Sequence, residues 1–223
     1  MKRNFTLLEL AIVVTVSTLV LTVLVSSAHA AVEQAKKASC QDVLRKIGEA
    51  IQLYAKDNAN FVPCSARPNA PEMVEVFGNN LNELGPKLMM KGYFGIKPVG
   101  RYDKIINTEK MKYFVCPEDK TAYQRRGCGS YNYFAINDVA AVARKRFGDE
   151  QYSRVLITRD RPENSLLFDV FPYRGSIVKQ AAHGENTNIL RLGGEVNSCN
   201  IKAAAQSSNI WNWIGEFMDG IEL

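Results

Sequence analysis

No dense run of one charge occurs in the 223 residues: 28 Lys and Arg stand against 23 Asp and Glu, and the formal charge of +5 is scattered along the chain. A basic stripe for nucleic acid is thereby excluded, and no nucleic-acid partner is expected. Internal repeats and low-complexity linkers are also missing, which sets aside solenoids and disordered spacers. Helix breakers are scarce at the front, with no Pro or Gly between Phe5 and Arg45 and only Gly48 before Pro63. Charge is nearly absent from Phe5 to Ala31, where Glu9 is the single carboxylate and His29 the single histidine. What remains is a globular mixture, 46% hydrophobic and 23% charged, too apolar for a disordered tail and too long for a small disulfide knot.

As a helix, the span from Phe5 to Ala31 is about 40 Å long at about 1.5 Å per residue, enough to cross a hydrocarbon layer of about 30 Å. Lys2 and Arg3 precede it. The positive-inside bias then keeps the extreme N-terminus in the cytoplasm and sends the rest across. A competing reading is a secretory signal peptide, with Leu10 to Val25 as its apolar region and Ala28-His29-Ala30 as an Ala-x-Ala site before Ala31. That reading leaves unexplained both Glu9, a carboxylate that is expensive in lipid, and the segment that follows.

From Val32 to Asp57 the apolar residues Val43, Leu44, Ile47, Ala50, Ile51 and Tyr54 recur at three and four residue intervals. Glu33, Lys36, Lys37, Gln41, Arg45 and Lys56 supply a polar face. The two stretches join into one predicted helix of about 50 residues, about 75 Å long. It is apolar all round in its first half and striped in its second, which suits a membrane at one end and a globular head at the other.

Phe5-Thr6-Leu7-Leu8-Glu9-Leu10, after a short basic leader and before an apolar run, resembles the type IV pilin and type II secretion pseudopilin signature, the prepilin-type cleavage and methylation motif. The wider pattern resembles the pseudopilin-like proteins abundant in Planctomycetes, Verrucomicrobia and Lentisphaerae. Its positions here are Cys40, Val43-Leu44-x-x-Ile47-Gly48, Tyr54-x-x-Asp57-Asn58 and Pro63. Phe114-Val115-Cys116-Pro117, Ser130-Tyr131-Asn132-Tyr133 and Leu166-Leu167-Phe168-Asp169 follow the middle section. His183 to Leu190, continuing to Val196, is similar to the closing element. Two positions depart: Asn4 stands where such leaders end in Gly, and Gly193-Gly194-Glu195 stands where the closing element has Asp-Gly-His, which removes a carboxylate and an imidazole.

The resemblance implies an α+β, pilin-like fold, a long N-terminal helix packed against an antiparallel sheet. It divides the chain into a leader (1–4), a membrane and assembly helix (5–31), its amphipathic continuation (32–57) and a globular head (58–223). It further implies cleavage between Asn4 and Phe5, N-methylation at Phe5, and pairing of Glu9 with the terminal amine of a neighbouring subunit, flanked by Leu8 and Leu10. An unpaired carboxylate and an unpaired amine are each costly in hydrocarbon, so the pair would fix axial register. The implied partners are other pilin or pseudopilin subunits, a prepilin peptidase, an inner-membrane assembly platform and the lipid bilayer. The implied location is the inner membrane, single-pass, with the head in the periplasm or outside the cell.

In the head, Leu81, Leu84, Leu88 and Met89 space a helix over 79–90, interrupted by Pro86, and 138–147 reads as another. Runs at 113–116, 131–136, 166–171, 188–192 and around Val196 predict strands. Residues 58–80 and 97–111 read as loops, and Trp211, Trp213, Ile214, Phe217 and Met218 as a segment that closes the core.

Five cysteines, Cys40, Cys64, Cys116, Cys128 and Cys199, make disulfides plausible outside the cytoplasm, with at least one thiol left over. Spacing leaves the pairing open. Cys116 with Cys128 is preferred because it closes a short loop, Cys64 can reach Cys40 or Cys199, and Cys40 reads equally well as a small buried hydrophobe. Asp57, Asn58 and Asn60 offer hard oxygens for calcium, the one cofactor suggested, although Asp and Asn also terminate helices. His183 with Asp169 and Cys116, Cys128 or Cys199 matches no metal or protease spacing, so a structural histidine in a turn and no enzyme activity are expected.

Overall fold

The computed structural model describes residues 6–63, 72–75, 84, 87–88, 91–95, 113–119, 129–136, 153–170, 182–201, 214 and 218–219. Helix α1 runs unbroken from Leu7 to Asp57. Thr6 and Glu9 start it. The Glu9 N–H donates to Thr6 Oγ1 at 3.3 Å while the Thr6 N–H donates to Glu9 Oε2 at 2.9 Å, a reciprocal capping box. At the other end the Asn60 N–H reaches back to the Ala55 carbonyl at 2.8 Å, with Ala59 at φ 53°. Asn58 Nδ2 donates to the Tyr54 carbonyl at 2.7 Å, so the helix closes on local side-chain and backbone bonds.

The chain divides into two compact units, 1–38 and 39–223. The second contains the last part of α1 and a five-stranded antiparallel sheet: β1 (Glu72–Glu75), β2 (Tyr131–Ala135), β3 (Ser165–Asp169), β4 (Asn186–Arg191) and β5 (Val196–Asn200). Sheet neighbours are also sequence neighbours, an α+β layout with simple connections. β2 and β3 are buried at every position. Cys40, Leu44, Ile47 and Ile51 of α1 pack with Tyr131, Tyr133, Leu167 and Leu190 in one core. Gly48 is what lets them meet, since a Cβ there would lie 2.8 Å from Leu190 Cδ1.

By strand alternation Phe134 faces away from that core, and it lies under the Arg154 guanidinium, 4.5 Å from its ring centre. Arg154 is fully buried and pairs with Asp219 at 2.8 Å, whose second oxygen accepts the Ser165 N–H at 2.7 Å. The pair thus ties the chain's last described residues to β3. Nearby, the Asp160 carboxylate accepts from Ser153 Oγ, the Val155 and Leu156 N–H groups and Arg159 Nε. Burial pushes its carboxyl up, but these four donors outweigh it and hold it below the ordinary aspartate value.

Two sequence expectations need correction. Tyr113 to Cys116 forms no strand: the Cys116 carbonyl accepts the Asp119 N–H at 2.9 Å across a turn containing Pro117, and Phe114 makes one backbone bond to Ser130. The expected loop at 58–80 contains β1, paired along β2 from Glu72↔Ala135 to Glu75↔Asn132. Leu84 and Leu88 are helical and buried, and so, in the core, are Ile214 and Met218. Residues 97–111, the helix expected at 138–147, and Trp211, Trp213 and Phe217 lie outside the described residues.

Candidate functional site

The first part of α1 is uncovered. Its most apolar 18-residue window has a mean hydropathy of 2.5 and none of it is buried. Leu7, Leu8 and Leu10 are 87%, 71% and 55% exposed, and Ile12, Val13, Val16, Leu19 and Val20 are exposed too. The hydroxyls of Thr15, Thr18, Thr22, Ser26 and Ser27 all donate to carbonyls three or four residues earlier, at 2.6–3.0 Å. Five polar groups are therefore satisfied inside the helix and ask nothing of the surroundings. One helix near the N-terminus is thus long and apolar enough to cross a membrane or to serve as a signal segment.

Glu9 has a local role that composition alone did not suggest, since its Oε2 accepts both the N–H and the hydroxyl of Thr6 at 2.9 Å. Oε1 takes no bond among the described residues. The signal was present as Thr6-x-x-Glu9, the sequence form of a capping box. Asn4 and Phe5 lie outside the described residues.

In the second unit four separate elements converge. Cys40 of α1 is disulfide-bonded to Cys116, with Cα atoms 5.1 Å apart. His183 Nε2 lies 3.3 Å from Cys116 Sγ and 3.3 Å from Asp169 Oδ2. Asp169 ends β3, directly opposite Tyr131 of β2, and its Oδ2 accepts the Asn188 N–H of β4 at 2.8 Å. Among the described residues, Oδ1 of Asp169 and the Tyr131 hydroxyl are buried without a hydrogen-bond partner. Complete burial, with a smaller push from the Asp119 charge, raises the Asp169 carboxyl to about 7 against the pull of the Asn188 backbone N–H and side chain. Burial, with the nearby Asp169 and Asp119 charges, also pushes the Tyr131 phenol well up.

The preferred Cys116–Cys128 bridge is therefore wrong: Cys116 bonds Cys40, which faces it from the buried side of α1 within disulfide reach. Cys40 is no mere space-filler. Cys199, a candidate bridge residue, forms no disulfide among the described residues, and burial pushes its half-buried thiol up. Cys64 and Cys128 lie outside the described residues. His183, Asp169 and Cys116 do come together, as their spacing in sequence gave no reason to expect. With both sulfurs buried and joined, this state offers no thiolate nucleophile. Among the described residues, Cys40, Cys116 and His183 form the single group of His, Cys, Asp and Glu side chains close enough to share a metal ion.

The calcium candidates lie together where α1 ends. Asp57 Oδ2 accepts the Tyr93 hydroxyl at 3.2 Å, Asn58 caps α1 through Tyr54, and Asn60 sits at φ 66° in the helix-ending turn. A cleft of about 740 Å³ beside α1 is lined by Arg45, Glu49, Gln52, Leu53, Lys56 and Ile157, a mixture of both charges with apolar carbon. Compared with known proteins, the chain matches no family model, no curated protein and no solved structure.

Proposed function

We propose that this chain is a structural subunit, pilin-like or pseudopilin-like, that is held in the inner membrane by the first part of α1 and assembles through that segment into a type II secretion pseudopilus or a type IV pilus-like filament. The observation that carries the reading is the uncovered apolar surface of residues 7–25, whose threonine hydroxyls are back-bonded, in a helix that enters a packed core at Cys40. Such a surface needs lipid in the single subunit and can exchange lipid for neighbouring helices on assembly. In this reading a prepilin peptidase removes residues 1–4, Phe5 is methylated, and Glu9 Oε1 receives the neighbour's terminal amine while Oε2 keeps its bonds to Thr6. An assembly platform in the membrane extracts the subunit, and the head remains in the periplasm or outside the cell.

The capping box favours a second reading, in which Glu9 merely starts the helix and the apolar segment is only an anchor for an extracytoplasmic binding protein. Glu9→Gln separates the two, because glutamine keeps the capping geometry while removing the charge. Assembly predicts normal membrane insertion with filament incorporation lost, read by fractionation and by cross-linking between subunits. Absence of subunit cross-links in the unsubstituted protein, with insertion unaffected by the substitution, would leave the anchor reading.

A further inference from the structure

We propose that the dithiol form of the buried cluster is a zinc site, in which Cys40 Sγ, Cys116 Sγ, His183 Nε2 and the Asp169 carboxylate bind one Zn²⁺. The ligand atoms of Cys40, Cys116 and His183 already lie within 4.8 Å of one another. Bond lengths of about 2.0–2.1 Å to nitrogen and oxygen place neighbouring tetrahedral ligands about 3.3–3.4 Å apart, and about 2.3 Å to sulfur places nitrogen and sulfur about 3.6 Å apart. The observed Nε2–Oδ2 and Nε2–Sγ separations are both 3.3 Å. The first edge is in place and the second needs only a small opening; the two sulfurs move apart once they are not bonded, and the Asp169 carboxylate, which lies outside the 4.8 Å group, moves in towards them.

Three further features fit an ion. The cysteine side chains are fully buried, and His183 and Asp169 expose 8% and 2% of theirs, so the cluster is shielded from water. Asp169 Oδ1 is a buried acceptor with no hydrogen-bond partner among the described residues, an arrangement that a cation would satisfy. The Asn188 N–H on Oδ2 already holds the carboxylate in place, as outer-shell partners of metal ligands do. Two thiolates, one imidazole and one carboxylate form a donor set suited to Zn²⁺, and soft sulfur ligands disfavour Mg²⁺ or Ca²⁺.

Binding involves no electron transfer: the two thiols lose two protons to solvent as two Zn–S bonds form. The disulfide and the ion exclude each other because each uses both sulfurs. The dithiol is the state in which a chain is made, since cytosolic thiols are kept reduced. Zinc would then fasten α1, the 116–119 turn, β3 and the His183 turn together at the point where the disulfide otherwise does so.

The test uses the full chain in detergent with Cys64, Cys128 and Cys199 changed to Ser, reduced with a phosphine under argon and stripped of metal. Titration with Co²⁺ should give one equivalent of a tetrahedral visible spectrum with a thiolate charge-transfer band, and Zn²⁺ should displace it. His183→Ala and Asp169→Asn should each weaken binding about tenfold or more. The oxidised protein should not bind. The unsubstituted reduced chain, compared with its Cys40→Ser variant, gives the same readout should the triple variant fold poorly. A weak octahedral spectrum, absence of the thiolate band, or equal binding by the oxidised protein or by Cys40→Ser would overturn the proposal.

Discussion

Opening the Cys40–Cys116 bond should weaken the 39–223 unit strongly. The bond spans 76 positions. Loop-closure entropy for a ring of that size amounts to about 4.5 kcal/mol at 25 °C, roughly three powers of ten in the folding constant. Against a typical total of about 5–15 kcal/mol, the loss removes a large share of stability. The perturbation is best made by reduction, which changes no side-chain volume, in a variant with Cys64, Cys128 and Cys199 changed to Ser and with chelator present. Urea unfolding followed by circular dichroism should show the midpoint falling by about 2 M, for a slope near 2 kcal/mol per molar. Coincident oxidised and reduced curves would refute the reasoning, and with it the claim that this bond ties α1 to the rest of the unit.

Other outcomes follow from buried charge. Arg154→Met leaves Asp219 buried without its cation and should cost about 3–5 kcal/mol, whereas Arg154→Met combined with Asp219→Leu should recover most of the loss; urea midpoints of the two variants check this. The Asp160 carboxyl is held below its unfolded value of 3.8, so its stabilisation is fully present above about pH 4 and disappears as pH falls through the folded value. Asp160→Asn should therefore destabilise the protein at pH 7 and converge on the unsubstituted protein in acid, as melting temperatures between pH 7 and pH 2 would show.

Local signals in the sequence were reliable where one element dictated its own structure. α1 followed from the missing breakers and the three-four spacing after Val32, and Tyr131 to Ala135 announced β2 by their aromatic content. Pairwise arrangements were not legible. Cys40 and Cys116 are brought together only when α1 lies on the sheet, and no spacing rule reaches across 76 positions. His183 meets Asp169 because β3 and β4 are antiparallel neighbours, which places the turn before β4 beside the end of β3. β1 was hidden because its four residues carry Glu72 and Glu75 at the ends, too short and too polar for a periodicity to show. Tyr113 to Cys116 misled in the opposite sense, since residues suited to a strand lead instead into the turn at Pro117, with Cys116 held to α1 by the disulfide. The Thr6-x-x-Glu9 cap was readable from the start, masked by the more conspicuous resemblance of the hexapeptide around it.

The central claim is that residues 5–31 remain in the working protein as its membrane and assembly segment. Intact mass and N-terminal sequencing of the protein purified from its native membranes test it most directly. The account predicts a chain that begins at a methylated Phe5, processed despite Asn4. A chain beginning at Ala31 would contradict it, because the uncovered helix and Glu9 would then belong to a discarded signal peptide.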